Sequence, residues 1–136
     1  MTTKELSQLF YIRREIEQDI DRLSRLRARI SSPRSPQYGD MPKNHFHENT
    51  LETYMAEIVE LENAIKDKIT RSIKEQYRLE KYIAEIPDSL TRQIFRLRFV
   101  NGLPWIQIAI SVGGGNTEDG VRQRVYRHIK KEAEEK

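Results

Sequence analysis

Apolar residues recur every three or four positions over most of this chain, and that period dictates helices rather than strands. Between residues 3 and 31 the series is Leu6, Leu9, Ile12, Ile16, Ile20, Leu23, Leu26 and Ile30, with no glycine or proline among them. Arg, Glu and Asp fill the remaining faces, as in an amphipathic helix. Ser31-Ser32-Pro33-Arg34-Ser35-Pro36 ends the series, because proline lacks an N–H and restricts its predecessor. A loop at 31–49 follows, with Pro33, Pro36, Gly39 and Pro42 along it. Asn49-Thr50 then offers an N-cap for a second helix over 50–86. Its stripe is Leu51, Tyr54, Met55, Ile58, Leu61, Ile65, Ile69, Ile73, Gln76, Leu79, Ile83 and Ile86, closed by Pro87. The expectation for 1–86 is a long antiparallel helical hairpin, coiled-coil-like. One such stripe buries little alone, so a homo-oligomer through the long helices is expected.

From residue 88 the texture changes. Asp88 or Ser89 can cap a short helix through Val100, and Asn101-Gly102 supplies a left-handed stop. Pro104 at a first helical position opens a helix over 104–112. Gly113-Gly114-Gly115-Asn116 makes a turn, and Thr117 caps a last helix, 117–134, with Glu118 and Asp119 favourable to its dipole. Three helices in fifty residues, the second and third joined by a glycine-rich turn, outline a helix-turn-helix domain over 87–136. The predicted fold class is all-α.

Charge separates the two regions. Residues 1–86 hold 15 Lys/Arg and 15 Asp/Glu, whereas 92–131 hold 8 basic residues against 2 acidic. Localised positive charge is the electrostatic mark of a nucleic-acid surface. On the last helix Val121, Val125 and Ile129 repeat every four residues and are expected to face inward. The opposite side centres on Gln123, Arg127 and Lys130, with Asp119, Gly120 and Tyr126 at its edge and Arg122 and Arg124 on the flanks. Arg matches guanine O6/N7, Gln pairs with adenine, and a carboxylate accepts from cytosine N4. Flanking Lys and Arg neutralise phosphates and set register. The candidate DNA-binding residues are therefore Thr117, Asp119, Gly120, Arg122, Gln123, Arg124, Tyr126, Arg127, Lys130 and Lys131. Arg92, Arg96 and Arg98 of the first short helix are candidate backbone contacts.

The run Arg92-Gln93-Ile94-Phe95-Arg96-Leu97-Arg98-Phe99-Val100-Asn101-Gly102-Leu103-Pro104-Trp105-Ile106-Gln107-Ile108-Ala109 resembles bacterial sigma-factor region four, and Val121-Arg122-Gln123-Arg124 resembles the start of its recognition helix. The whole layout is similar to phage-encoded late transcriptional regulators of the ArpU and RinA type. Their linker run is resembled by Ser35-Pro36-Gln37-Tyr38-Gly39-Asp40-Met41-Pro42-Lys43. The resemblance implies a sequence-specific transcriptional regulator in a bacterial host cytoplasm, reading double-stranded DNA through Asp119, Arg122 and Gln123, with RNA polymerase a candidate partner. The turn Gly113–Asn116 is about two residues longer than in the sigma domain, and no promoter-melting region is present, so a complete sigma factor is not implied. The rival readings are a protein–protein adaptor and a small terminase-like packaging subunit.

Catalysis draws little from these residues. Gly113-Gly114-Gly115 lacks the following Lys-Ser/Thr of a phosphate loop. The only histidines are His45, His47 and His128; His45-Phe46-His47-Glu48 could touch a metal, but with no cysteine and no second cluster no metal or cofactor is expected. No apolar run reaches the length of a membrane span, and no membrane partner is expected. His128 is expected to pack on the inner edge of the last helix, and Glu62–Lys66 to pair at i,i+4. Ile106 and Ile110 lie off the inner face of their helix. The expectation is that the long helix near Ile83, or the first short helix, covers them; the alternative is a partner patch.

Overall fold

The computed structural model describes residues 1–31 and 44–135, with backbone alone for 44–49. Every regular element among the described residues is helical: α1 (Thr3–Leu6), α2 (Gln8–Ser31), α3 (Asn44–Ala84), α4 (Ser89–Phe95), a π-helical turn Arg96–Val100, α5 (Trp105–Val112) and α6 (Glu118–Glu134). Three boundaries differ from expectation. Ser7 interrupts the first helix. α3 begins at Asn44, so Thr50 lies inside it rather than capping it. Pro104 is the N-cap of α5 instead of its first helical residue, in extended conformation at ψ 154°. Ser35–Lys43 and the side chains of His45 and His47 lie outside the described residues.

The chain forms two compact units, Arg14–Thr70 and Met1–Arg13 with Arg71–Lys136. These cut across the boundary drawn at 86/87. Leu6, Leu9, Leu79, Ile83 and Ile86 enter one core with Ile94, Phe95, Phe99, Val100, Ile108, Ala109, Val121 and Val125. The physical reason is size: three short helices present too little apolar area of their own, and the ends of the long helices supply the rest. Phe95 is fully buried at the centre, with Phe99 and His128 rings at 5.4 and 5.1 Å. Arg13 donates to the Val100 carbonyl, at the end of the π turn, and to Gln76 Oε1 at 2.8 Å.

In the unit Arg14–Thr70, Leu23 and Leu26 of α2 bury against Leu61 and Ile65 of α3, with Tyr54 and Ile58 beside them. Partners on α3 descend as residues on α2 ascend: Asp19 accepts from Lys68 at 2.6 Å, Arg27 donates to Glu62 at 2.8 Å, and Arg29 donates to Tyr54 at 3.0 Å. Glu62 thus pairs across the helices, where an i,i+4 bond to Lys66 was expected. The stripe read from the sequence is only partly covered: Ile20, Met55 and Ile69 remain exposed.

Candidate nucleic-acid interface

The face of α6 is set by which side its own unit covers. Val121 and Val125 are fully buried, Ile129 is partly buried, and α6 packs chiefly on α5 and also on α4. With 100° per residue, burial of the valines turns Gln123, Arg127 and Lys130 outward, and all three are exposed. Arg127 donates to Gln123 Oε1 at 3.1 Å. Arg122 is bonded to Asp119 one turn earlier. These are exposed pairs of low net value, so they hold the side chains in a row without committing them.

Thr117 starts the helix by accepting the Gly120 amide at 3.0 Å. Gly120 fits that cap closely: a Cβ there would sit 3.0 Å from the threonine hydroxyl. The turn before it depends on Gly113, Gly114 and Gly115, all with φ between 62° and 78°, which side chains disfavour. At the far end of α6, Glu132 accepts from the Tyr82 hydroxyl. Burial, and then this bond, push the Tyr82 phenol well above its ordinary value. His128 packs on the inner edge, as expected, edge-on to Phe95.

The arginines of the preceding segment are turned onto the protein itself. Arg92 donates to the Ile86 carbonyl at 2.8 Å, and Arg96 pairs with Glu80 at 3.3 Å. Arg98 donates to the Leu103 carbonyl at 3.0 Å, and its guanidinium carbon lies 4.3 Å from the Trp105 ring centroid. Arg124, on the flank of α6, reaches Asp88 at 3.1 Å. Thus Gln123, Arg127 and Lys130 share one open face, with Lys131, Asp119, Arg122 and Tyr126 around it. Arg92 and Arg98 are held by backbone carbonyls within the protein, while Arg96 and Arg124, each nearly half exposed, form surface ion pairs of the same low net value as Arg122–Asp119. The Arg124–Asp88 link joins residues far apart in sequence; the cap signal at Asp88 pointed to the Thr91 amide and not to this bond.

Ile106 and Ile110 are 57 % and 72 % exposed. The expectation that a neighbouring helix covers them is overturned: Ile108 takes the place at the centre of the core, and Ile106 and Ile110, each two residues from it, lie about 160° away on the opposite side. Trp105 instead meets Tyr126 edge-on at 6.2 Å and Arg98 on its face. Among the described residues no group of three or more Asp, Glu, His or Cys side chains is placed to hold a metal ion, and no helix is long and apolar enough to cross a membrane. Comparison with known proteins adds no relative: no family model, no curated protein and no solved structure matches this chain.

Proposed function

We propose that this protein is a sequence-specific double-stranded-DNA-binding transcriptional regulator. In this reading α4, α5 and α6 form a helix-turn-helix domain of the sigma region-four kind, and α6 enters the major groove. The long helices form an antiparallel hairpin that sets the spacing between two such domains in an oligomer. The observation that carries the reading is the polarity of α6. Val121 and Val125 are buried while Gln123, Arg127 and Lys130 are exposed, so the side that could meet base edges is the basic, amide-bearing one. The local charge excess over 92–131 and the resemblance to phage late regulators support it.

Selection from a random duplex library, followed by footprinting of the enriched sites at 50 and 200 mM salt, tests it. A recurring protected motif and a steep fall in affinity with salt are the expected result. Retention of duplex at neither salt concentration would sink the reading and favour the adaptor.

The exposure of Ile106 and Ile110 supports a protein contact on α5 in addition. RNA polymerase is the proposed partner. Ile110→Glu should abolish activation while leaving duplex affinity and folding intact; unchanged activation would remove that partner from the reading.

A further inference from the structure

The unit Arg14–Thr70 has two unlike sides. Lys68 with Glu15 and Asp19, and Arg22 with Glu57, fill one of them with ion pairs. The other is identified by the Arg27–Glu62 bond. Ile20 lies two turns before Arg27 on α2, and Ile69 two turns after Glu62 on α3, so both belong to that second side. Ile20 is 50 % exposed and Ile69 is 41 % exposed. Met55 and Val59, each 56 % exposed, continue the outward face of α3.

Met55, Val59, Glu62, Lys66 and Ile69 follow one another at steps of four, three, four and three, the spacing of a coiled-coil seam. The order of residue types is symmetric about position 64. Val59 answers to Ile69 and Glu62 answers to Lys66; in sequence, the position answering to Met55 is Ile73. A surface that is complementary to itself under reversal is what a two-fold interface requires. Parallel pairing in register would instead set Lys66 against Lys66 and Glu62 against Glu62.

We infer that this face of α3 binds a second copy of the chain in antiparallel orientation. Val59 packs on the partner's Ile69, and Glu62 meets the partner's Lys66 twice about the axis. The freedom of Lys66 from the expected bond to Glu62 within its own helix leaves its ammonium for that contact. Glu62, already bonded to Arg27, then accepts from two cations. This names the surface for the self-association in the proposed function, and rests on that part of it alone, not on DNA reading.

The test is sedimentation equilibrium of the full chain, with circular dichroism to show each variant is folded. The wild type should be dimeric at micromolar concentration. Ile69→Glu should be a folded monomer. Lys66→Glu and Glu62→Lys should each weaken the dimer about tenfold or more, because each sets like charges together at two places. Lys66→Glu leaves the Arg27–Glu62 bond in place, and circular dichroism separates loss of the dimer from the cost of setting a second carboxylate one turn from Glu62. An equimolar mixture of the two charge variants should regain the dimer, since the mixed pair restores opposite charges at both places. A wild-type monomer at 100 μM would overturn the inference, as would charge variants that assemble like the wild type or a mixture that stays monomeric. A dimer that behaves as stated but selects no duplex would leave this inference standing and remove the DNA reading.

Discussion

Arg124 on α6 donates to the Asp88 carboxylate at 3.1 Å, and the same oxygen caps α4 by accepting the Thr91 amide at 2.9 Å. One carboxylate therefore starts the first short helix and steadies the flank of the last one. The Thr91 hydroxyl and amide, with Arg124 and Arg92 nearby, hold the Asp88 carboxyl below its ordinary range. A depressed folded-state value stabilises the fold above the unfolded value and is lost as pH falls through the folded one. Thermal melts should therefore show Asp88→Ala less stable than wild type at pH 7. The gap should close as the pH drops below the unperturbed value of 3.8. A gap that stays constant down to pH 2 would show that the cap and the Arg124 bond contribute nothing through charge.

Under the proposed DNA reading, the open face of α6 predicts a split between base-reading and phosphate-contacting residues. Gln123→Ala and Arg122→Ala should each cost about 1–3 kcal/mol on the selected site and relax base preference at one position. Lys131→Ala should weaken selected and random duplexes alike and reduce the salt slope by about one. Fluorescence anisotropy on both duplexes measures this. Equal losses on both for all three variants would contradict the assignment.

The cap of α6 predicts a modest contribution to stability. Thr117→Ala removes the acceptor for the Gly120 amide and should cost roughly 1 kcal/mol of stability. Amide exchange in the first turn of α6 should rise with it, and unchanged protection there would count against the cap.

Core and surface apolar residues should behave oppositely under denaturant. Phe95→Ala deletes a fully buried ring at the meeting of Tyr82, Phe99 and His128 and should cost about 3–5 kcal/mol. Ile110→Ser, on an exposed site, should fall within about 0.5 kcal/mol of wild type. A large loss at Ile110 would mean that α5 is covered in solution.

Gly102 adopts φ 71°, and a Cβ there would meet the Phe10 ring at 3.6 Å, an ordinary contact. Backbone strain therefore decides the outcome. Gly102→Ala should cost roughly 1–2 kcal/mol, the penalty for a side chain in the left-handed region, read from the urea midpoint.

Local sequence determined the all-helical character, the C-terminal end of α2, the bounds of α6 with its Thr117 cap, and the inward face of Val121 and Val125. Each of these follows from spacing along one helix or from chemistry within one turn. The early start of α3 at Asn44 and the cap role of Pro104 show how loosely local signals define a boundary. What lay beyond the sequence is the pairing of distant segments. A stripe states that a helix has an apolar side, but not how much of it will find cover: Leu79 and Ile83 are fully buried, whereas Ile20 and Ile69, equally apolar in the same pattern, face outward. Tertiary packing made that choice, because the apolar ends of the long helices complete the core of the three short ones. It also committed Arg98 to Trp105 and Arg92 to the Ile86 carbonyl, since a guanidinium bonds to whatever acceptor or ring the fold brings within reach.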